Sequence, residues 1–276
     1  MDFLTLLLKT VLLRPYVFLF LTVLLIAAVQ LIGWPRTWRL WLISWVTAFI
    51  CEFSSTRTGI PFGWYHYTGS TVGQELYISN IPFMDSISFS FLLYAAYCVA
   101  LSFLLPREAA GSTSRLQPLS FDLSVRTSRR ALVLTAVLFA GLDMVIDPIA
   151  LRGDRWFLGK IYYYPDPGIH FGVPLTNYLG WMIVGLISLA IYFPLDRRLS
   201  PAPAGDGTSI ARRLLLGVGL YYGVLAFNLA VTFWVGETRL GLAGLLMCLP
   251  LAILLMLRLS PPRSLRIGGN APADFV

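Results

Sequence analysis

Seven apolar runs, each long enough to cross a lipid bilayer, constrain this chain more than any other feature of its sequence. They lie at about 15–33, 38–54, 83–105, 131–151, 174–195, 212–235 and 240–259. A helix needs about 20 mostly apolar residues to cross the hydrocarbon layer. Hydrophobic residues make up 57% of the 276, and charged residues only 13%. The sequence therefore predicts an all-α, polytopic integral membrane protein with about seven transmembrane helices.

The remaining segments fit a single transmembrane domain covering residues 1–276. The connections 106–130 and 196–213 are rich in Ser, Pro and Arg and are predicted to be solvated linkers, with no chemistry of their own. The tail 260–276 is predicted to be disordered. A shorter apolar segment, 3–13, is interrupted by Lys9, and we expect it to lie along the membrane interface.

Basic residues are unevenly distributed between the two sides of the predicted bundle. The connections at 34–39, 106–130 and 196–213, together with the tail from Arg258, carry 14 Lys and Arg residues, and the other side carries 7. Because cytoplasmic loops are enriched in these residues, the count predicts a cytoplasmic C-terminus in an inner or plasma membrane. The net charge of +7 is then a matter of topology and lipid headgroups and needs no nucleic-acid partner.

Two long connections on the predicted outer side, 54–83 and 152–173, differ from ordinary membrane turns. They combine aromatic residues with Gly and Pro, and the alternating segments GWYHYT and KIYYY favour short strands lying on the bundle. Membrane connections of this length and chemistry more often form a working surface than a tether.

Polar side chains inside the spans are costly, so their positions are informative. They lie at the outer ends of the spans, with no acid at the other ends: Glu52, Asp85, Asp143, Asp147, Asn177 and Glu237. The deeper Asn228 belongs to the sixth span. This distribution predicts a site at the outer mouth of the bundle.

Asp143 and Asp147 are four residues apart, which puts both carboxyl groups on one face of a helix. Like charges so close resist simultaneous ionisation, so one of the pair is expected to keep a proton and to be able to act as an acid. The alternative is that Asp147, just before Pro148, caps a turn or is neutralised by an arginine.

The sequence lacks the residues that several other kinds of membrane-protein chemistry require. His66 and His170 are far apart in sequence and are expected to be hydrogen-bonding loop residues, so no metal site is predicted. Neither GxGxxG nor a P-loop occurs, and no cofactor is predicted. What remains is an apolar interior with acids at its mouth and many aromatic faces, which suits a long lipid-soluble substrate.

Three separated motifs carry a family resemblance. The runs FICEFSSTRTGIPFGWYHYT, GLDMVIDPIA and FGVPLTNYLGW resemble the CruF-type carotenoid biosynthesis proteins, the carotenoid 1,2-hydratase or bisanhydrobacterioruberin hydratase family, from about residue 40 to 235. The resemblance implies a cofactor-independent enzyme that adds water to the terminal double bond of an acyclic carotenoid, giving a tertiary alcohol. Its implied partners are the carotenoid, the bilayer and other enzymes of the same pathway.

The candidate catalytic acids and bases are Glu52, Asp143 and Asp147, with their order left open. The candidates for substrate binding or orientation are Arg57, Trp64, Tyr65, Tyr67, Asp85 and Asn177. A carotenoid cyclase, which also begins by protonating a polyene, or another proton-initiated isoprenoid enzyme is an open alternative. A transporter or a scaffold for a pigment-making complex is a further one, although a transporter needs polar residues through the whole span.

Overall fold

The computed structural model describes residues 2–108, 116–199, 202 and 206–260. Its long helices are α1 Phe3–Leu13, α2 Pro15–Ile32, α3 Trp34–Thr58, α4 Phe83–Leu104, α6 Arg129–Ala150, α7 Leu175–Arg197, α8 Gly207–Trp234 and α9 Thr238–Leu259. The four-residue helix α5 is Leu123–Arg126. The prediction of disorder for residues 260–276 falls almost wholly outside the described residues.

Among the described residues, six helices are long and apolar enough to cross a membrane: α2, α4, α6, α7, α8 and α9. The prediction of an all-α polytopic membrane protein is confirmed. The predicted span 38–54 lies inside α3, which has 25 residues and packs against α4 and α7. It is less apolar than the other six because it carries Arg36, Arg39, Glu52 and Arg57. The segment 3–13 forms the short helix α1.

Helix α4 forms the centre of the bundle and contacts α2, α3, α6 and α8. In its most apolar window 83% of residues are buried, against 22% for the peripheral α9. Small residues allow this close approach. A side chain at Gly217 of α8 would place its Cβ only 2.2 Å from the Cys98 sulfur of α4. Similarly, a Cβ at Gly180 of α7 would lie 2.3 Å from the Phe62 ring, so this glycine admits Phe62 from the connection 59–82.

The two long connections emerge at the same end of the bundle, which we call the loop end. Strand β1, His66–Tyr67, pairs antiparallel with β4, Tyr162–Tyr163, and the register puts Tyr67 opposite Tyr162. The strands predicted in GWYHYT and KIYYY are therefore confirmed. A second pair, β2 Tyr77–Ile78 with β3 Ile81–Pro82, makes a hairpin just before α4.

A buried ion pair ties the start of α2 to both connections. The Arg14 guanidinium lies 3.0 Å from the Glu75 carboxylate, and both side chains are almost completely buried. Arg14 also donates to the Leu158 carbonyl at 2.6 Å, and Thr71 donates to Glu75 at 2.5 Å. Since a buried charge needs both a partner and hydrogen bonds, this cluster fixes the loops above the helices.

A buried acid that was not predicted from the sequence lies at the opposite end of the bundle. Asp196, expected to begin a solvated linker, lies in the last turn of α7 and is fully buried. Its carboxylate accepts from Arg36 of α3 at 2.5 Å and from Arg126 of α5. The expectation that acids occupy only the outer ends of the helices is therefore wrong: one lies at the other end, fully neutralised by two arginines.

Candidate active site

Four carboxyl groups from three helices meet at the loop end. Glu52 comes from α3, Asp85 from the first turn of α4, and Asp143 and Asp147 from the last two turns of α6. The helices contribute these residues where each meets a long connection. The acids therefore lie just beneath the paired strands β1 and β4.

Tyr67 of β1 links the first two acids. Its hydroxyl lies 2.6 Å from an Asp85 carboxyl oxygen and 3.0 Å from one of Glu52. Burial raises the pKa of the Tyr67 hydroxyl, and the neighbouring acids, Asp85 first, raise it further, so the hydroxyl keeps its proton. One hydroxyl has a single hydrogen to donate. Both contacts can be hydrogen bonds only if one of the two carboxyl groups is itself protonated.

Asp147 is surrounded by donors. The hydroxyl of Tyr162 donates to one of its oxygens, and the hydroxyl of Tyr164 donates to the other at 2.7 Å. The amide of Asn177, in the first turn of α7, donates to that second oxygen at 2.9 Å. Three donors favour the ionised form of a carboxyl group. Asp147 is thus neither a turn cap nor the partner of an arginine in the described structure.

Asp143 lies one helical turn deeper in a contrasting environment. It is completely buried, and its only hydrogen bond in the described structure comes from the Asn177 amide, at 2.5 Å. Its other oxygen, Oδ1, has no partner there. A carboxyl group with one donor in an apolar interior favours the neutral, protonated form. Two acids on one helix face are therefore held in opposite environments, an arrangement suited to acid–base chemistry.

No ion pair within the described ranges includes any of these four acids. The pairs present there involve Glu75, Asp196 and Glu237. Glu237, predicted from the sequence to lie at the mouth, instead binds Arg152 and Arg155 at the surface. Four close carboxyl groups without cations cannot all be ionised, so the cluster retains protons. No group of three or more His, Cys, Asp or Glu side chains in those ranges is arranged to hold a metal ion.

Two cavities reach the acid cluster. The polar cavity is lined by the hydroxyl, carboxyl and amide groups of Glu52, Tyr65, Tyr67, Asp85, Asp147, Tyr162, Tyr164 and Asn177, together with the rings of Phe62, Phe89 and Trp181. The apolar cavity lies between α2, α4, α6 and α8. Its walls include Val17, Phe20, Phe91, Leu92, Ile146, Val224 and Phe227. A cavity with hydrocarbon walls that ends on carboxyl groups can bind an apolar molecule and present one end of it to acids.

The chain matches the profile of a family described as carotenoid biosynthesis protein over residues 13–251. It belongs to that family. The bisanhydrobacterioruberin hydratase of Haloarcula japonica is 32% identical over 196 residues, which are 71% of this chain and 56% of that relative. The chain therefore spans little more than half the length of the curated relative that it matches. No solved structure gives a significant match.

Most of the site residues expected for this carotenoid biosynthesis protein come together in the fold. Those that line one or both cavities are Glu52, Tyr65, Tyr67, Asp85, Asp143, Asp147 and Asn177. Arg57 and Trp64 do not. Arg57 lies over the Phe53 ring and donates to Ser79 at the surface, and Trp64 is 51% exposed. His170 bonds the Met144 carbonyl at 3.1 Å, as expected of a hydrogen-bonding loop residue.

Three residues of this candidate site were not identified from the sequence: Tyr162, Tyr164 and Trp181. Tyr162 and Tyr164 belong to the YYY run, which signalled a strand but not contact with an acid. Strand alternation offered the missing signal, because residues two apart point to the same side. Trp181 lines both cavities and stacks on Phe89 with a ring separation of 4.1 Å. It lies one turn after Asn177 on α7, on the same helix face.

The two adjacent tyrosines of β4 provide a matched test of this geometry. Tyr162→Phe removes a donor from the buried Asp147, and we expect it to lower the free energy of unfolding by about 1–3 kcal/mol. Tyr163→Phe is the control, because Tyr163 is 43% exposed and its ring points away from the acids. Unfolding of the detergent-solubilised protein measures both. Equal, small effects would contradict the hydrogen bonding described here.

Proposed function

We propose that this protein is a carotenoid hydratase, which adds water to the terminal double bond of an acyclic carotenoid end to give a tertiary alcohol. The observation that carries the proposal is the apolar cavity ending on a cluster of carboxyl groups without cations. Membership of the carotenoid biosynthesis family and the similarity to a bisanhydrobacterioruberin hydratase support the same chemistry. The reaction requires no cofactor.

The reaction needs one acid and one base. A protonated carboxyl group transfers its hydrogen to the less substituted carbon of the terminal double bond, whose π electrons form the new C–H bond. The other carbon becomes a tertiary cation. A water oxygen then bonds to that cation, and the proton that the water loses passes to a carboxylate. We assign these steps to Glu52, Asp143 and Asp147.

Aromatic faces at the junction of the two cavities stabilise the cation. Trp181 and Tyr162 line both cavities, and Trp181 is held by stacking on Phe89. A cation over an aromatic face gains up to about 2 kcal/mol in a desolvated site. Tyr65 contributes a further buried ring beside Tyr67 and Tyr162. Asp85 orients Glu52 through the Tyr67 hydroxyl that both acids contact. Asn177 orients Asp143 and Asp147 through the hydrogen bonds that its amide donates to both.

The polar cavity favours hydration over cyclisation. A cyclase begins with the same protonation but closes a ring from the polyene itself, so it must keep water from the cation. Here a cavity lined by hydroxyl and carboxyl groups adjoins the apolar one at Asp85 and Asp147. It offers the hydrogen-bonding partners that a bound water requires.

Product mass decides between these reactions. Membranes containing the protein are incubated with lycopene in heavy water, and the pigments are analysed by mass spectrometry. We expect a gain of one water for each reacted end, with non-exchangeable deuterium on the carbon next to the new alcohol. A ring-ended product that carries deuterium but has gained no oxygen would identify a cyclase. Complete absence of reaction with correctly inserted protein would favour a transporter or scaffold.

Substitution of the three acids tests the assigned site. Asp143→Asn, Asp147→Asn and Glu52→Gln keep shape but remove the ionisable proton, and loss of a positioned acid or base costs about 10²–10⁴-fold in rate. We expect at least one variant to lose that much. Asp154→Asn and Asp166→Asn are matched controls, since both residues are exposed at the loop end. Near-normal turnover in all three acid variants, at matched protein levels, would reject the assignment.

We further propose that the protein is a single domain of the inner or plasma membrane, with the loop end outside and the C-terminus in the cytoplasm. The excess of Lys and Arg at the opposite end supports this orientation. A reporter that folds only in the cytoplasm, fused after Val276, should be active. Activity of an export-dependent reporter at the same position would show that the orientation is the reverse of the one proposed. Other enzymes of the carotenoid pathway are the partners we propose.

A further inference from the structure

The two cavities approach the acid cluster from different sides, and they divide its members. Glu52 lines the polar cavity alone, whereas Asp143 lines the apolar cavity alone. Asp85 and Asp147 line both and form part of the boundary. The acids therefore do not share one environment: Glu52 faces the polar cavity and Asp143 faces the apolar one.

Each of these two acids has an oxygen without a hydrogen-bond partner in the described structure. Asp143 is completely buried and its Oδ1 is unpartnered, while Glu52 is 2% exposed and its Oε2 is unpartnered. Buried polar atoms almost always have a partner, so these exceptions require an explanation. Because Asp143 lines the apolar cavity and Glu52 lines the polar one, a reacting molecule can supply the missing partner of Asp143 and a water can supply that of Glu52.

We propose that hydration is divided between the cavities: Asp143 donates the proton to the isoprenoid end in the apolar cavity, and Glu52 orients the attacking water in the polar cavity. The assignment rests on the proposed hydratase function and adds the separate roles of the two acids. Asp147, held ionised by Tyr162, Tyr164 and Asn177, lies between them and accepts the proton released by the water.

Each step balances within the chain. The O–H bond of Asp143 breaks as the C–H bond forms, which leaves Asp143 as a carboxylate beside the cation. The water oxygen forms the C–O bond, and its proton passes to Asp147. A proton then returns from Asp147 to Asp143. The Asn177 amide donates to both carboxyl groups, at 2.9 Å to Asp147 and at 2.5 Å to Asp143. Alkene and water are consumed, and the enzyme regains its starting state.

This division makes protonation independent of Glu52. Without an oriented water, the cation formed by Asp143 loses a proton back to the Asp143 carboxylate and becomes an alkene again. In heavy water the first transfer delivers deuterium, and the return step can remove hydrogen instead. The recovered, unhydrated carotenoid then carries deuterium, so exchange reports protonation while alcohol reports the complete reaction.

The test compares Asp143→Asn and Glu52→Gln in membranes supplied with lycopene in heavy water. We expect Asp143→Asn to reduce both alcohol formation and deuterium exchange into recovered lycopene by about 10²-fold or more. We expect Glu52→Gln to reduce alcohol formation by about 10-fold or more while exchange stays at or above the wild-type level. Asp166→Asn, at the exposed turn of the loop end, should match the wild type in both.

Two results would overturn the division of roles. One is persistent exchange in Asp143→Asn, and the other is a proportional loss of exchange and alcohol in Glu52→Gln. Either result leaves the hydratase function intact, provided that the wild-type protein forms the alcohol. Failure of the wild type to form it rejects the hydratase proposal itself. The absorption shift of lycopene bound to purified Asp143→Asn verifies that this variant still folds and fills its cavity.

Discussion

The hydrogen bonds from loop tyrosines to buried carboxyl groups determine how the loop end of this protein is built. Tyr67 reaches Glu52 and Asp85, and Tyr162 reaches Asp147, from two strands paired above the helices. A carboxyl group in an apolar bundle without such donors would be strongly destabilising. The acids therefore hold the connections in place, and the connections in turn make it tolerable to bury the acids.

The two ends of the bundle treat buried acids in opposite ways. Asp196 is matched by Arg36 and Arg126, which satisfies its charge and joins α3, α5 and α7. The acids at the loop end receive neutral donors instead, so protons rather than arginines limit their charge. A fully neutralised acid stabilises a junction between helices but has no proton to exchange. An acid held by hydroxyl and amide groups keeps its capacity for proton transfer.

The sequence predicts the architecture well because membrane constraints act locally. Spanning length and alternation gave the helices and the β1–β4 strands, and the cost of buried charge pointed to Glu52, Asp85, Asp143 and Asp147. The sequence alone does not reveal contacts between segments that are distant along the chain. Asp196 resembled part of a solvated linker because its arginine partners are 70 and 160 residues away in sequence. Arg57 and Trp64 had the right chemistry, but each points away from the bundle.

The β1–β4 ribbon pairs two residues of each strand, and their alignment has a consequence for the evolution of the loops. Tyr67 faces Tyr162, and their neighbours His66 and Tyr163 face each other on the other side of the ribbon. A slip of one residue would exchange these sides, since successive side chains alternate. An insertion or deletion between Arg152 and Ile161 could thus disable the acid cluster without altering any residue in it.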